Sequence, residues 1–251
     1  MLSATRGMAP RIRRLPSLKQ EAQLLALCDL SRYFGAECSA YLKQEAQQPK
    51  RKNLMELLAN ILFAFAMNFT APLYGASPPE TDDDRRERIG MIAEVDADVA
   101  SAGVSQFAPG DAAALLLAIQ LHESALDYYV HAGLESPIGH QDHGKARCLG
   151  QIHTWPGNPH LPTKTDHMAL AGLDREATTR CATVMLKYLW GHAQRCIRRS
   201  VPAASRWETA LTDAEVAMIA AAYGAGYCSP VKASNRSRAR TFRRIRKQMT
   251  K

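Results

Sequence analysis

The sequence has little cysteine and almost no strand-like alternation of polar and apolar residues. Six cysteines in 251 residues are too few for a disulfide-dense mini-protein. The scarcity of period-two alternation argues against an all-β fold. Apolar residues at 46% and charged residues at 22% are ordinary for a globular protein, and they exclude a mainly disordered, collagen-like or polytopic membrane chain. The length allows one or two domains with a sizeable core.

Acidic residues are missing from one end of the chain. Residues 232–251 carry nine Lys and Arg and no Asp or Glu, whereas residues 1–77 have a net charge of +5 and residues 78–231 of −6. The overall charge of +8 suggests a polyanionic partner such as nucleic acid, a membrane surface or an anionic cell-wall polymer. We expect residues 232–251 to form either a solvated tail or a short helix with basic side chains along one face.

The most apolar stretch is internal, at residues 54–76. Basic residues precede it, and prolines and aspartates follow it, so it has the parts of a secretory signal or of an anchor in contact with a membrane. Two features weaken this interpretation: Tyr74 is large for a cleavage site after Ala76, and Glu56 lies within the run. The alternative is a buried helix of a globular N-terminal region.

The chain beyond this stretch is predicted to be mostly α-helical. Helices are expected over Asp111–His131, Asp174–Trp190 and Thr212–Tyr223, with the first residue of each as a plausible N-cap. Residues 134–167 are loop-rich. The predicted organisation is a helical, basic region of unknown role (1–53), the apolar segment (54–76), a linker (77–88), a folded domain (89–231) and a basic C-terminal tail (232–251).

Three short segments carry the residues best suited to chemistry. Glu123-Ser124 follows Ala112–His122, which has no charged residue, so Glu123 lies at the only wet edge of its helix or in a cleft that suits a general acid. Gln151 follows a glycine, and its amide suits a cleft wall that reads an N-acetyl or hydroxyl group. Tyr223 ends a helix of small residues, so its hydroxyl can reach a buried partner. Each pattern alone is also typical of a surface charge, of packing or of a helix end.

Taken in order, the three segments resemble the lysozyme-like lytic transglycosylases, the group of the soluble lytic transglycosylase and goose-type lysozyme. That family has a helix ending in Glu-Ser, then a Gly-Leu-Met-Gln loop, then an Ala-Tyr-Asn-Ala-Gly helix end. The resemblance covers about residues 90–228 and implies a lysozyme-like domain. Cys148, Gly150 and Gly224 depart from the family pattern, whereas the Glu, Gln and Tyr are present. The counterparts here are Glu123-Ser124, Cys148-Leu149-Gly150-Gln151 and Ala222-Tyr223-Gly224-Ala225-Gly226.

The resemblance implies cleavage of the β-1,4 bond between N-acetylmuramic acid and N-acetylglucosamine in peptidoglycan by a single essential Glu, with no cofactor. Glu123 would protonate the leaving oxygen and then deprotonate the C6 hydroxyl of the muramic acid, giving a 1,6-anhydro product. Attack by water would instead make the enzyme a lysozyme-type hydrolase. Tyr223 would hold or polarise Glu123, Gln151 would hydrogen-bond the sugar, and Ser124 would support the Glu or touch the saccharide. The other supporting or substrate-binding residues expected are Leu149 and Gly150.

The same region of the sequence contains candidates for a second carboxylate and for a metal site. Asp127 and Asp142 are the candidates for a second carboxylate. The segment His140–His143 has ligands that suit a metal, but a polar groove wall or surface loop is the simpler interpretation. Leu126 also breaks the HExxH zinc motif that begins at His122, so no metal site is expected.

Four cysteines follow the apolar run: Cys148, Cys181, Cys196 and Cys228. An even number suits two disulfides in an oxidising compartment, and reduced buried thiols are the alternative. If one helix ran unbroken from Cys181 to Cys196, these two would be about 22 Å apart and could not pair. Because the resemblance puts the Gln and Tyr segments on one groove, we expect Cys148 to pair with Cys228.

The expected partner is the glycan strand of peptidoglycan, in the periplasm or outside the cell. The setting could be wall remodelling, a secretion or conjugation apparatus, or a phage virion. A non-catalytic peptidoglycan- or chitin-binding domain stays open, although the retained Glu123 and Tyr223 argue against it. A nucleic-acid-binding protein acting through its basic ends also stays open. The acidic centre and the lack of interleaved aromatics in the tail argue against that class, so no specific nucleic acid is expected.

Overall fold

The computed structural model describes residues 53–68, 80–134, 146–153, 160–161, 163–197, 211–226, 228 and 233–249. All of these belong to one unit of the chain, Lys52–Lys251. The described part is mostly helical, which confirms the predicted class at that level. Two short strands, β1 (Ala146–Arg147) and β2 (Ile152–His153), pair antiparallel. The helices are α1 (53–68), α2 (Asp82–Ser101), α3 (Pro109–Glu123), α4 (Tyr128–Ala132), α5 (Lys164–Met168), α6 (Arg175–Ile197), α7 (Asp213–Ala225) and α8 (Ala233–Met249).

Side-chain caps set where two of the predicted helices begin. Thr212 accepts the Glu215 backbone N–H in a capping box at the start of α7. Asp174 accepts the Ala177 backbone N–H at 2.8 Å at the start of α6. Both N-cap predictions are therefore confirmed. They could be made from the sequence because each cap depends on a local pattern of a few residues.

Helix α3 is the centre of the domain. Every residue from Asp111 to Leu121 is buried, and the helix packs against α2, α6 and α8. A helix that is apolar all round needs neighbours on every side. The predicted helix Asp111–His131 is in fact divided by a turn after Glu123, and Asp111 lies in the first turn behind Pro109 instead of at the N-cap.

Helix α1 belongs to the same core. Each large apolar side chain that is fully buried in this core stabilises the folded state by about 1.5–3 kcal/mol. For residues 54–68 the structure favours the buried helix over a signal or anchor, while residues 69–76 of the apolar stretch lie outside the described residues. No helix in the described part of the chain is both long enough and apolar enough to cross a membrane. The core residues of α1 are Leu58, Leu62, Phe65 and Ala66.

The predicted linker and the predicted start of the domain are wrong. Helix α2 begins at Asp82, inside the predicted linker 77–88. Because α1 also contributes to the core, the domain does not begin at residue 89. Residues 1–52 lie outside the described residues, so the prediction for the N-terminal region stays a prediction.

The predicted basic tail is an integral helix. Helix α8 packs against α3 and α7. A boundary at residue 231 therefore cuts off a helix that the core requires. Besides its basic residues, the segment 232–251 has an apolar face that packs into the core. The buried residues of this face are Ala239, Phe242 and Ile245.

Two disulfides tie α6 to segments on either side of it. Cys148 pairs with Cys181, and Cys196 pairs with Cys228. The predicted pairing of Cys148 with Cys228 is wrong, because α6 runs unbroken through Gly191 and presents its two cysteines to different neighbours. The sequence separations of 33 and 32 residues correspond to about 3.5 kcal/mol of stabilisation each in the chain-entropy description. The two bonds are compatible with an oxidising compartment.

Candidate active site

Glu123 is the last residue of α3. Its side chain is 18% exposed, so it lies at the edge of the core that the rest of the helix fills. Ser124 closes the helix, because its hydroxyl and its backbone N–H both donate to the Gln120 carbonyl, at 2.9 and 3.0 Å. Ser124 is buried. Of the two roles predicted for Ser124, supporting Glu123 or touching the saccharide, its burial favours the first, because Ser124 ends the helix that carries Glu123.

The second predicted segment forms the turn of the β1–β2 hairpin. The Gln151 N–H donates to the Cys148 carbonyl at 3.0 Å, and both residues have left-handed backbones, with φ of 51° and 56°. Such values are strained for residues other than glycine and need support from the surroundings. The bond from Cys148 to Cys181 supplies that support from α6. Gln151 is half-buried, whereas Leu149 is a core residue and does not face a substrate, contrary to prediction.

Tyr223 binds the hairpin turn and lies within electrostatic reach of the end of α3. Its Oη donates to the Gly150 carbonyl at 2.6 Å. A Cβ at Gly150 would lie 2.8 Å from that Oη and 2.4 Å from Met185 Sδ, so only glycine permits this approach. Burial raises the pKa of Tyr223 well above its ordinary value, and the charge of Glu123 raises it further. Tyr223 is therefore a neutral phenol within electrostatic reach of Glu123.

Arg238, on α8, completes the surroundings of Glu123 and was missed by sequence reasoning. Its Nη2 donates to Glu123 Oε1 at 2.5 Å, and its own side chain is only 11% exposed. Its Nη1 donates to Asn235 Oδ1 at 3.1 Å. A Cβ at Gly224 would lie 3.7 Å from Nη2, so the guanidinium packs against the helix end that carries Tyr223.

A row of four rings extends from Tyr223. His192 lies 6.3 Å from Tyr223, Tyr188 lies 6.5 Å from His192, and His160 lies 5.0 Å from Tyr188, all between ring centroids. Burial lowers the pKa of His192 to about 4, with Arg195 adding to the effect, so this imidazole is neutral near pH 7. Burial likewise lowers the pKa of His160, with a further contribution from Lys187. The row therefore offers uncharged flat faces beside the Glu123 site.

The chain matches no family model, no curated protein and no solved structure. Among the residues predicted for the site, the structure brings Gly150 and Tyr223 into contact, and Glu123 lies within electrostatic reach of Tyr223.

Several other predicted features fall away from the site or outside the described residues. Asp127 accepts the Val130 backbone N–H at 3.0 Å and caps α4, which engages the carboxylate proposed as a second acid. Asp142 and the segment His140–His143 lie outside the described residues. Within the part of the chain that the structure describes, no group of His, Cys, Asp and Glu is arranged to hold a metal ion.

A cavity of about 370 Å³ lies elsewhere on the domain, between the start of α2 and Tyr128. Both of its arginines are already engaged, because Arg88 pairs with Glu80 at 2.7 Å and Arg175 pairs with Glu94 at 2.7 Å. None of its lining residues belongs to the Glu123 site.

Proposed function

We propose that this protein cleaves the β-1,4 bond between N-acetylmuramic acid and N-acetylglucosamine in peptidoglycan, as a lytic transglycosylase or muramidase with a lysozyme-like domain. One observation carries the proposal: three motif segments far apart in the sequence meet in space. Tyr223 donates to the Gly150 carbonyl and lies within electrostatic reach of Glu123. Its neighbour Gly224 lies beside Arg238, which binds Glu123. Motifs that occur in the order of a known family and also converge are harder to obtain by chance than order alone.

The chemistry requires one carboxyl group that acts twice. Glu123 donates its proton to the leaving glycosidic oxygen as the C1–O bond breaks. The resulting carboxylate takes the proton of the C6 hydroxyl while O6 bonds to C1, so Glu123 ends protonated, as it began. Attack by water in place of O6 gives hydrolysis. Glycosidases that use two carboxylates need a second acid nearby, whereas Asp127, the described candidate, is engaged as a cap.

The surroundings of Glu123 suit an amphipathic sugar chain. The rings of Tyr188 and His192 present neutral faces on which a pyranose can lie. The amide of Gln151, on the strained hairpin turn, can both donate to and accept from an N-acetyl group. The two disulfides support a periplasmic or extracellular location, where this substrate is found.

Digestion of purified peptidoglycan tests the proposal. The full chain is used under oxidising conditions, with Glu123→Gln as the test variant and Glu176→Gln as the matched control, since the Glu176 side chain is 81% exposed. We expect muropeptide release from the wild type and the control but not from Glu123→Gln. Mass spectrometry separates 1,6-anhydro products, which mark a transglycosylase, from reducing ends, which mark a hydrolase. Equal release by Glu123→Gln contradicts the proposal.

One observation favours a second candidate, a glycan-binding domain without catalysis. The Glu123 carboxylate is neutralised by Arg238 in this structure. Sedimentation with insoluble peptidoglycan, run beside the digestion, separates the two functions. A folded wild type that binds the polymer and releases no product supports the binding domain.

A further inference from the structure

The ion pair between Glu123 and Arg238 conflicts with the first step of the proposed reaction. A general acid must carry a proton and present it to the leaving oxygen. Glu123 Oε1 instead accepts a charge-assisted hydrogen bond from Arg238 Nη2 at 2.5 Å. A carboxyl oxygen that a guanidinium holds at this distance is turned toward α8 and is not presented to a substrate. The structure therefore holds Oε1 of Glu123 on Arg238.

We infer that Arg238 is a positioning residue that holds the Glu123 side chain against α8, so that helix α8 restrains the proposed cleavage until the guanidinium moves away. The inference rests on the proposed function and adds its regulation. It also gives the basic C-terminal segment a role inside the domain, in place of a tail that binds a polyanion.

The contacts of Arg238 allow its side chain to move without unfolding α8. The helix is held by buried apolar side chains, among them Phe242 and Ile245. The guanidinium itself has two partners, Glu123 and Asn235. Its buried Nε has no partner within the described residues, and even a Cβ at Gly224 would lie no closer to the guanidinium than 3.7 Å. A rotation of the side chain therefore breaks two hydrogen bonds and leaves the core intact.

Arg238 is the charged group that faces Glu123 from α8. From α7, the group that faces Glu123 is the neutral phenol of Tyr223. On α3 itself, His122 is adjacent in sequence; burial lowers its pKa, with Arg238 adding to the effect, and its Nε2 lies 2.9 Å from Thr241 Oγ1. Among these described groups, Arg238 is the one that forms an ion pair with Glu123.

The test compares Arg238→Gln with Arg240→Gln in the full chain, on purified peptidoglycan under oxidising conditions. Both variants remove one positive charge from α8, but Arg240 is exposed and serves as the control. We expect Arg238→Gln to raise the initial rate near pH 7 about tenfold, the scale of one charge-assisted hydrogen bond, while the control keeps the wild-type rate. We also expect the gain in Arg238→Gln alone to appear in kcat and not in KM, which a merely structural role would not produce.

Arg238→Lys is a control for misfolding of Arg238→Gln. Lysine keeps the positive charge but lacks the planar guanidinium that binds two partners. Its rate should fall between those of the wild type and Arg238→Gln, with thermal unfolding showing that each variant is folded. A folded Arg238→Gln with a lower or unchanged rate overturns the restraint while the proposed function stands. If the wild type and every folded variant release no product, the proposed function itself is overturned, and the restraint with it.

Discussion

Helices α3 and α8 meet at the candidate site with opposite compositions. Residues 112–121 of α3 have no charged side chain, whereas α8 contains six arginines and a lysine and no acid. Both helices nevertheless contribute to one core. Helix α3 is buried on every side and ends in Glu123, its polar site residue. Helix α8 buries one face only, and its arginines divide between that face and the solvent. Composition therefore did not decide burial, whereas the spacing of apolar residues did.

The two helices also differ in what accompanies the buried acidic residues beside them. Beside α8, the carboxyl groups of Asp111 and Glu123 pair with Arg246 and Arg238. Beside α3, away from any of these arginines, Asp96 is fully buried and accepts a hydrogen bond from Gln120 at 3.0 Å. A buried acid without a cation is stable only when it holds its proton. The arginines of α8 thus distinguish the two paired acids from Asp96.

The largest effect on folding is expected when an apolar residue of α3 and an arginine of α8 are each replaced by the other residue type. Leu116 on α3 has no exposed surface, so Leu116→Arg places an unpaired charge in the core and should abolish folding. The reverse exchange on the exposed face of α8, Arg244→Leu, should change the free energy of unfolding by less than about 0.5 kcal/mol. Urea unfolding followed by circular dichroism measures both. A cooperative transition in Leu116→Arg near that of the wild type would show that α3 is not fully enclosed.

Within α8, replacing an arginine that pairs with a buried acid should lower the free energy of unfolding more than replacing an exposed one. Arg246 pairs with Asp111, whose side chain is 2% exposed, so Arg246→Ala leaves a buried carboxylate without its cation and should cost about 3 kcal/mol. Arg243 pairs with Asp213 at 3.0 Å where both side chains are about half exposed, so Arg243→Ala should cost less than about 1 kcal/mol. Denaturant unfolding of the two variants at the same pH gives the difference. Equal losses would mean that burial of the pair is not what stabilises it.

Sequence patterns predicted the fold where the cause was local. The starts of α6 and α7 follow from caps within a few residues of Asp174 and Thr212. The membership of α1 and α8 in the core was missed because one segment was judged by its apolar character and the other by its charge. The apolar spacing at Ala239, Phe242 and Ile245 was the available signal. The disulfide pairing depends on which segments flank an unbroken α6, which no local pattern contains.

The candidate site was predictable in the same partial way. Glu123 and Tyr223 were found because each belongs to a motif with an order along the chain. Arg238 was not found because it is 115 residues from Glu123 and is one of nine basic residues in its segment. Only tertiary packing distinguishes it from exposed neighbours such as Arg240. The least predictable residue is therefore the one that makes the closest polar contact with Glu123.

The acid that lies beyond the reach of the α8 arginines should give stability a distinctive pH dependence. Burial raises the pKa of Asp96 to about 8, and the hydrogen bond from Gln120 offsets this only in part. An unfolded Asp titrates near about 3.9. Between these values the folded state binds more protons than the unfolded state, so the contribution of Asp96 to stability is full below about pH 4 and is lost as the pH rises through about 8.

The buried histidines act in the opposite direction over a lower range. Burial lowers the pKa of His131 to about 3, with Arg88 adding to the effect, so the folded state binds fewer protons than the unfolded state up to about pH 6.5. Above that pH the contribution of Asp96 remains. The free energy of unfolding should therefore fall between pH 6.5 and 8 by up to about 1.4 kcal/mol per pH unit. Asp96→Asn should remove this fall, because the amide fills the same space without titrating. Urea unfolding of both proteins at pH 6.5 and 7.5 measures it, and equal slopes would show that Asp96 is already ionised in the folded state.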